Sequence, residues 1–139
     1  MWDHLEGAST FWLDQLIWVG RSGLDGPIAD PVPLALPIRP NPGRDTVITA
    51  LRGSGRSWRV VFEGHSLTGV EAALQAGIGI FVASRRMVLY GMEPLPTGSG
   101  LPPLPEVEFV LVTRPDQDLG GTENAFIEVI RQAAVSSFL

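Results

Sequence analysis

Between residues 34 and 82, short apolar runs alternate with amphipathic stretches, and this alternation narrows the possible folds more than any other property of the chain. Residues 34–38 form an apolar run that ends in the turn Arg39-Pro40-Asn41-Pro42-Gly43. A helix is predicted over about 44–52, with Val47, Ile48 and Leu51 on one face and Gly53 and Gly55 stopping it. Trp58-Arg59-Val60-Val61-Phe62 reads as the next strand. After Glu63-Gly64-His65-Ser66 comes a second helix with a core face of Val70, Ala73 and Leu74. Ser66 or Thr68 can serve as its N-cap, Thr68 and Glu71 have capping-box spacing, and Gly77 stands where a C-terminal glycine belongs. A third strand is predicted over 78–82. Strands that alternate with short helices imply right-handed crossovers, so the expected class is α/β with a mostly parallel sheet.

The flanks are less regular. Residues 1–13 have no clean period, although Trp2, Leu5, Phe11, Trp12 and Leu13 make them apolar for a tail. Leu16-Ile17-Trp18-Val19 reads as a short buried strand, closed by Gly20 and a Gly/Asp/Pro-rich crossover over 21–33. Beyond Arg85-Arg86, which is assigned to solvent, a Pro/Gly-rich loop covers 91–105. A strand over 106–113 and a turn over 116–122 lead to a final helix whose Phe126, Val129, Ile130, Ala133 and Ala134 make one apolar stripe.

Composition excludes several classes of function. At 139 residues there is room for one domain, or for one lobe plus part of another. Apolar residues at 45% and charged residues at 18% argue against disorder. The longest apolar runs, 32–38 and 78–83, fall far short of the roughly 20 residues a spanning helix needs. The acidic N-terminus is unlike a signal peptide, so a cytoplasmic location and no membrane association are expected. With no cysteine and only two histidines, no metal or other cofactor is expected. All 10 basic residues are arginine, which removes Schiff-base and P-loop lysine chemistry. A net charge of -5 opposes direct DNA binding by this chain.

Gly64-His65-Ser66-Leu67-Thr68 lies between a strand and a helix, where a hydrolase would carry a G-x-S-x-G nucleophile elbow. Thr68 replaces the second glycine, and no histidine follows the serine, so an esterase using Ser66 remains only a remote alternative. Glu106 and Glu108 share a strand face and read as a solvated pair. What remains is geometric: strands ending near Ile38 and Phe62 bring their C-terminal ends, and the helix starts that follow, to one edge of the sheet. Ligands of open α/β sheets bind at such an edge.

Residues 58–80, Trp-Arg-Val-Val-Phe-Glu-Gly-His-Ser-Leu-Thr-Gly-Val-Glu-Ala-Ala-Leu-Gln-Ala-Gly-Ile-Gly-Ile, resemble the strand, polar turn, helix and strand of the effector-binding domain of LysR-type transcriptional regulators. Supporting pieces are Leu16-Ile17-Trp18-Val19-Gly20, the run 31–36, the Gly43-Arg44 helix start, Leu101-Pro102-Pro103-Leu104-Pro105 and the strand 107–114, in the family's order over about 14–137. The resemblance implies a periplasmic-binding-protein-like (type II) fold. Residues 1–30 would hold the last strand of an incomplete lobe one and a crossover, 31–95 a complete lobe two, and 96–139 a second crossover with the returning strand and helix of lobe one. It implies no catalysis. A small-molecule metabolite would bind between the lobes, touching Asn41, Pro42, Gly43 and Arg44 on one turn and Glu63, Gly64, His65 and Ser66 on the other. Glu63 departs from the smaller polar group many relatives carry, which argues against an anionic effector, and Ala83-Ser84 replaces a family proline. The helix-turn-helix domain and the first half of lobe one have no counterpart, so a truncated start or a fragment is expected, with DNA contact only through the missing domain. A homodimer or higher oligomer is expected, because the strand over 107–113 and the stripe at Phe126, Val129 and Ile130 would otherwise be left partly uncovered. A truncated interaction module is the alternative function.

Overall fold

The computed structural model describes residues 8–87, 91–96, 98–112 and 120–136. Six strands and three helices follow one another as β1 (Ala8–Arg21), β2 (Val32–Pro37), α1 (Pro42–Gly53), β3 (Trp58–Gly64), α2 (Leu67–Gln75), β4 (Phe81–Ser84), β5 (Met92–Pro94), β6 (Glu106–Val112) and α3 (Gly121–Ser136), with a 3-10 turn at Arg85–Met87. The chain divides into two compact units, Gln15–Pro105 and, separately, Met1–Asp14 with Glu106–Leu139. The larger unit contains all of 31–95 and, in addition, 15–30 and 96–105.

The larger unit is built around β2. Its Val32, Leu34, Ala35 and Leu36 are fully buried, as befits a near-continuous apolar run covered on both faces. β3 lies parallel to it, pairing Val32 with Trp58 and Pro37 with Gly64 across one register shift at Leu34/Ala35. On the other side Ile80 bridges Leu34 in parallel, its N-H donating to the Pro33 carbonyl at 2.9 Å. The mostly parallel sheet of the sequence reading is corrected here to a mixed one. β1 runs antiparallel to both β4 and β5, because it enters the sheet without a helical crossover.

Both helices of this unit stop on the same device. Past α2, the Gly77 N-H bonds the Leu74 carbonyl and the Ile78 N-H bonds the Ala73 carbonyl, with Gly77 at φ +76. This is a Schellman closure, which needs a left-handed residue at that point. It occupies Gly77 and Ile78, so the strand expected over 78–82 forms instead at Phe81–Ser84. Arg52, Leu51, Gly55 and Arg56 repeat the pattern past α1. The strand β5 was read as loop from sequence; it is three residues long and exists only because Val19, Gly20 and Arg21 pair with it. The two connecting stretches are also tied together, Ile28 N-H to Ser99 carbonyl at 3.0 Å, with the Arg56 guanidinium donating to the Gly100 and Ile28 carbonyls. Trp18 is buried and its Nε1 donates to the Pro102 carbonyl at 2.8 Å.

In the smaller unit β6 pairs with β1, and α3 follows. β1 is longer than the strand expected at 16–19, since pairing with a distant strand leaves no local period to read. Val112, Phe126 and Val129 are exposed, as are Glu106 and Glu108. Trp2, Leu5, most of the turn expected over 116–122, and the side chains of Phe11, Trp12, Ala133 and Ala134 lie outside the described residues.

Candidate functional site

Pro37 and Gly64 are the last residues of β2 and β3 and stand in register, and the Ile38 N-H donates to the Gly64 carbonyl at 3.0 Å just beyond them. The chain then turns into α1 on one side and α2 on the other. Asn41 caps α1: its Oδ1 accepts from the Arg44 N-H at 3.0 Å, and Pro42 occupies the first turn, where a missing N-H costs nothing. Gly43 leaves room for two neighbours, because a Cβ there would sit 3.1 Å from the Phe81 ring and 3.2 Å from the capping oxygen. Ser66 caps α2 in the same manner, its Oγ accepting from the Gly69 N-H at 3.2 Å. That bond gives Ser66 a structural task, and His65 beside it is exposed.

Arg44 joins the two turns. Only 6% exposed, it donates through Nη1 to the Pro37 carbonyl at 3.1 Å and through Nη2 to Glu63 Oε1 at 3.3 Å. A buried guanidinium needs a counter-charge and fixed acceptors, and these two supply both. The Glu63 side chain is 47% exposed, so the pair is a buried cation reaching outward to a half-solvated anion. The eight residues singled out from sequence therefore fall on two turns that share one sheet edge, linked by Arg44 to Glu63 and by Ile38 to Gly64. The Pro37 carbonyl was missed. A signal for it existed: Arg44 falls on the same helical stripe as Val47, Ile48 and Leu51, so it had to be buried and had to find a partner.

Elsewhere in this unit a cleft of about 200 Å³ lies between α2 and the strands β1, β4 and β5, its walls including Leu67, Val70, Leu74, Val82 and Met92. None of the eight residues lines it among the described residues. No group of three metal-ligating side chains occurs among the described residues either.

A mixed α/β lobe of this kind, with strand ends and helix starts gathered at one edge, has the architecture of a type II periplasmic-binding-protein-like domain. The chain belongs to the LysR substrate binding domain family, whose model matches residues 8–135. It is 32% identical over 108 residues to the HTH-type transcriptional regulator PecT of Dickeya dadantii (strain 3937), an alignment covering 78% of this chain and 34% of PecT. The chain spans about a third of the length of the curated relatives it matches. Among solved structures it is similar to the regulatory domain of CcmR from Synechocystis PCC6803 in complex with 2-PG, with TM-score 0.70, 13% identity, and coverage of 95% of this chain and 69% of that one. It is also similar to the effector binding domain of QuiR in complex with shikimate, with TM-score 0.62, 9% identity, and coverage of 99% and 70%.

Proposed function

We propose that this chain is the effector-sensing part of a LysR-type transcriptional regulator and that Asn41, Pro42, Gly43, Arg44, Glu63, Gly64, His65 and Ser66 form the second-lobe half of its effector cleft. The observation that carries the reading is the convergence of two capped helix starts on one sheet edge through Arg44. Backbone N-H groups at such an edge are ready hydrogen-bond donors, and the helix dipoles add to them. The complexes of the CcmR and QuiR domains, with 2-PG and shikimate, support small-molecule recognition on this fold. Binding is non-covalent, and its effect is a population shift between lobe or subunit arrangements rather than chemistry.

In this reading 31–95 is the second lobe, and its flanks carry the two crossovers together with the strands and helix of the first. DNA is contacted through a separate helix-turn-helix domain, and the regulator works in the cytoplasm. No described helix is long and apolar enough to cross a membrane. The test is thermal unfolding against a panel of small metabolites. A ligand present at 100 times its Kd stabilises by about 2.7 kcal/mol, which raises the melting temperature by several degrees. If no metabolite raises it, the sensing function is lost from the proposal.

A second reading, self-association, is favoured by the exposure of Phe126, Val129 and Val112 on the smaller unit. Apolar side chains grouped on a helix and a strand in this way attract a partner. Here the chain is a homo-oligomer. Light scattering that finds only a monomer at high concentration removes this reading.

A further inference from the structure

Side chains alternate along a strand, and at the end of β3 the alternation separates two neighbours. Phe62 lies against Gly64 and Gly69 at the start of α2, whereas Glu63 turns to the α1 side and meets Arg44. The guanidinium beneath it is held in place, being buried and bonded to the Pro37 carbonyl. Only Oε1 of Glu63 has a protein partner among the described residues. A carboxylate accepts at two oxygens and donates at neither. Oε2, on a side chain 47% exposed, therefore offers a fixed and partly solvated acceptor at the proposed effector edge.

The buried positive charge of the edge is already engaged. Arg44 faces Pro37 and Glu63, and its Nε, although without a hydrogen-bond partner, is enclosed and out of reach of a ligand. Asp45, exposed in the first turn of α1, adds a second negative group. Arg39 and His65 are also exposed on the two turns, but at the centre of the edge Glu63 presents an acceptor, which calls for a donor.

We propose that Glu63 selects effectors carrying a hydrogen-bond-donating hydroxyl or ammonium group, which Oε2 receives, and discriminates against acids that lack one. This rests on the effector reading above. The experiment is calorimetric titration of the 139-residue chain with matched probes. Shikimate is paired with cyclohex-1-ene-1-carboxylate for the hydroxyl arm, and L-alanine with propionate for the ammonium arm. The arm that shows a preference identifies which donor is read.

The expected result is binding of one donor-bearing probe at least about tenfold tighter than its donor-free partner, as a bond to a charged acceptor supplies. Glu63→Gln, which can still accept from Arg44, is expected to lose that preference. Glu63→Gln can also disturb folding, so Arg44→Met with Glu63→Met removes the pair as a unit and must lose the preference as well. Equal binding of the two members of each pair, unchanged by either variant, overturns the proposal and leaves the effector reading standing. If neither these probes nor a wider metabolite panel binds, the effector reading falls and this proposal with it.

Discussion

Helices α2 and α3 carry apolar residues at the same i, i+3, i+4 spacing. Val70, Ala73 and Leu74 of α2 are buried against β2 and β3, whereas Phe126 and Val129 of α3 are 65% and 63% exposed. The difference lies in what stands opposite. A stripe contributes to stability only in proportion to the apolar area that another element removes from water. α2 has a sheet beneath it and a cap at each end, so its stripe is core. α3 leaves Phe126 and Val129 in water, so the same pattern buries neither of them there.

Four tests break or sharpen this contrast. The largest effect is expected for Leu74→Ala, which removes a side chain only 2% exposed and should cost about 2–4 kcal/mol in urea unfolding. A loss below about 1 kcal/mol would mean that the α2 face is not the packed core described here. Gly77→Ala comes next: it forces a side chain into the left-handed region and brings Cβ within 2.7 Å of the Arg21 side chain, at a cost of about 1–2 kcal/mol. Ser66→Ala removes the α2 cap and should lower stability by about 1 kcal/mol, while Ser66→Asp preserves it. If Ser66→Ala and Ser66→Asp melted alike, the cap would have no energetic weight. Smallest of all, Phe126→Gln with Val129→Gln should leave unfolding within about 0.5 kcal/mol of the parent and lower the molecular weight seen by light scattering. Strong destabilisation by this pair would place α3 in a core instead.

Much of the site was legible in the sequence because its signals are local. Ser66, one of two caps offered for α2, and Gly77 after its end act within one turn of a helix, so composition and spacing suffice to find them, whereas Asn41 was placed in the right turn without its capping task. The apolar run of β2 was likewise legible, although its burial on both sides was not. Arg44 was singled out but its task was not, since that depends on a carbonyl from β2 and a carboxylate from β3. The antiparallel entry of β1 and the existence of β5 were not legible, because each consists of hydrogen bonds to a segment far away in the chain.

By itself, then, the sequence determined which stretches are helical and, to within a few residues, where those helices begin and end, all of which follow from backbone preferences and short-range hydrogen bonds. Only the tertiary structure decided which strands run antiparallel, which apolar stripe is covered, and that the buried charge of Arg44 is answered by Glu63. Those outcomes depend on pairing between residues distant in the chain, and a one-dimensional pattern does not specify a partner.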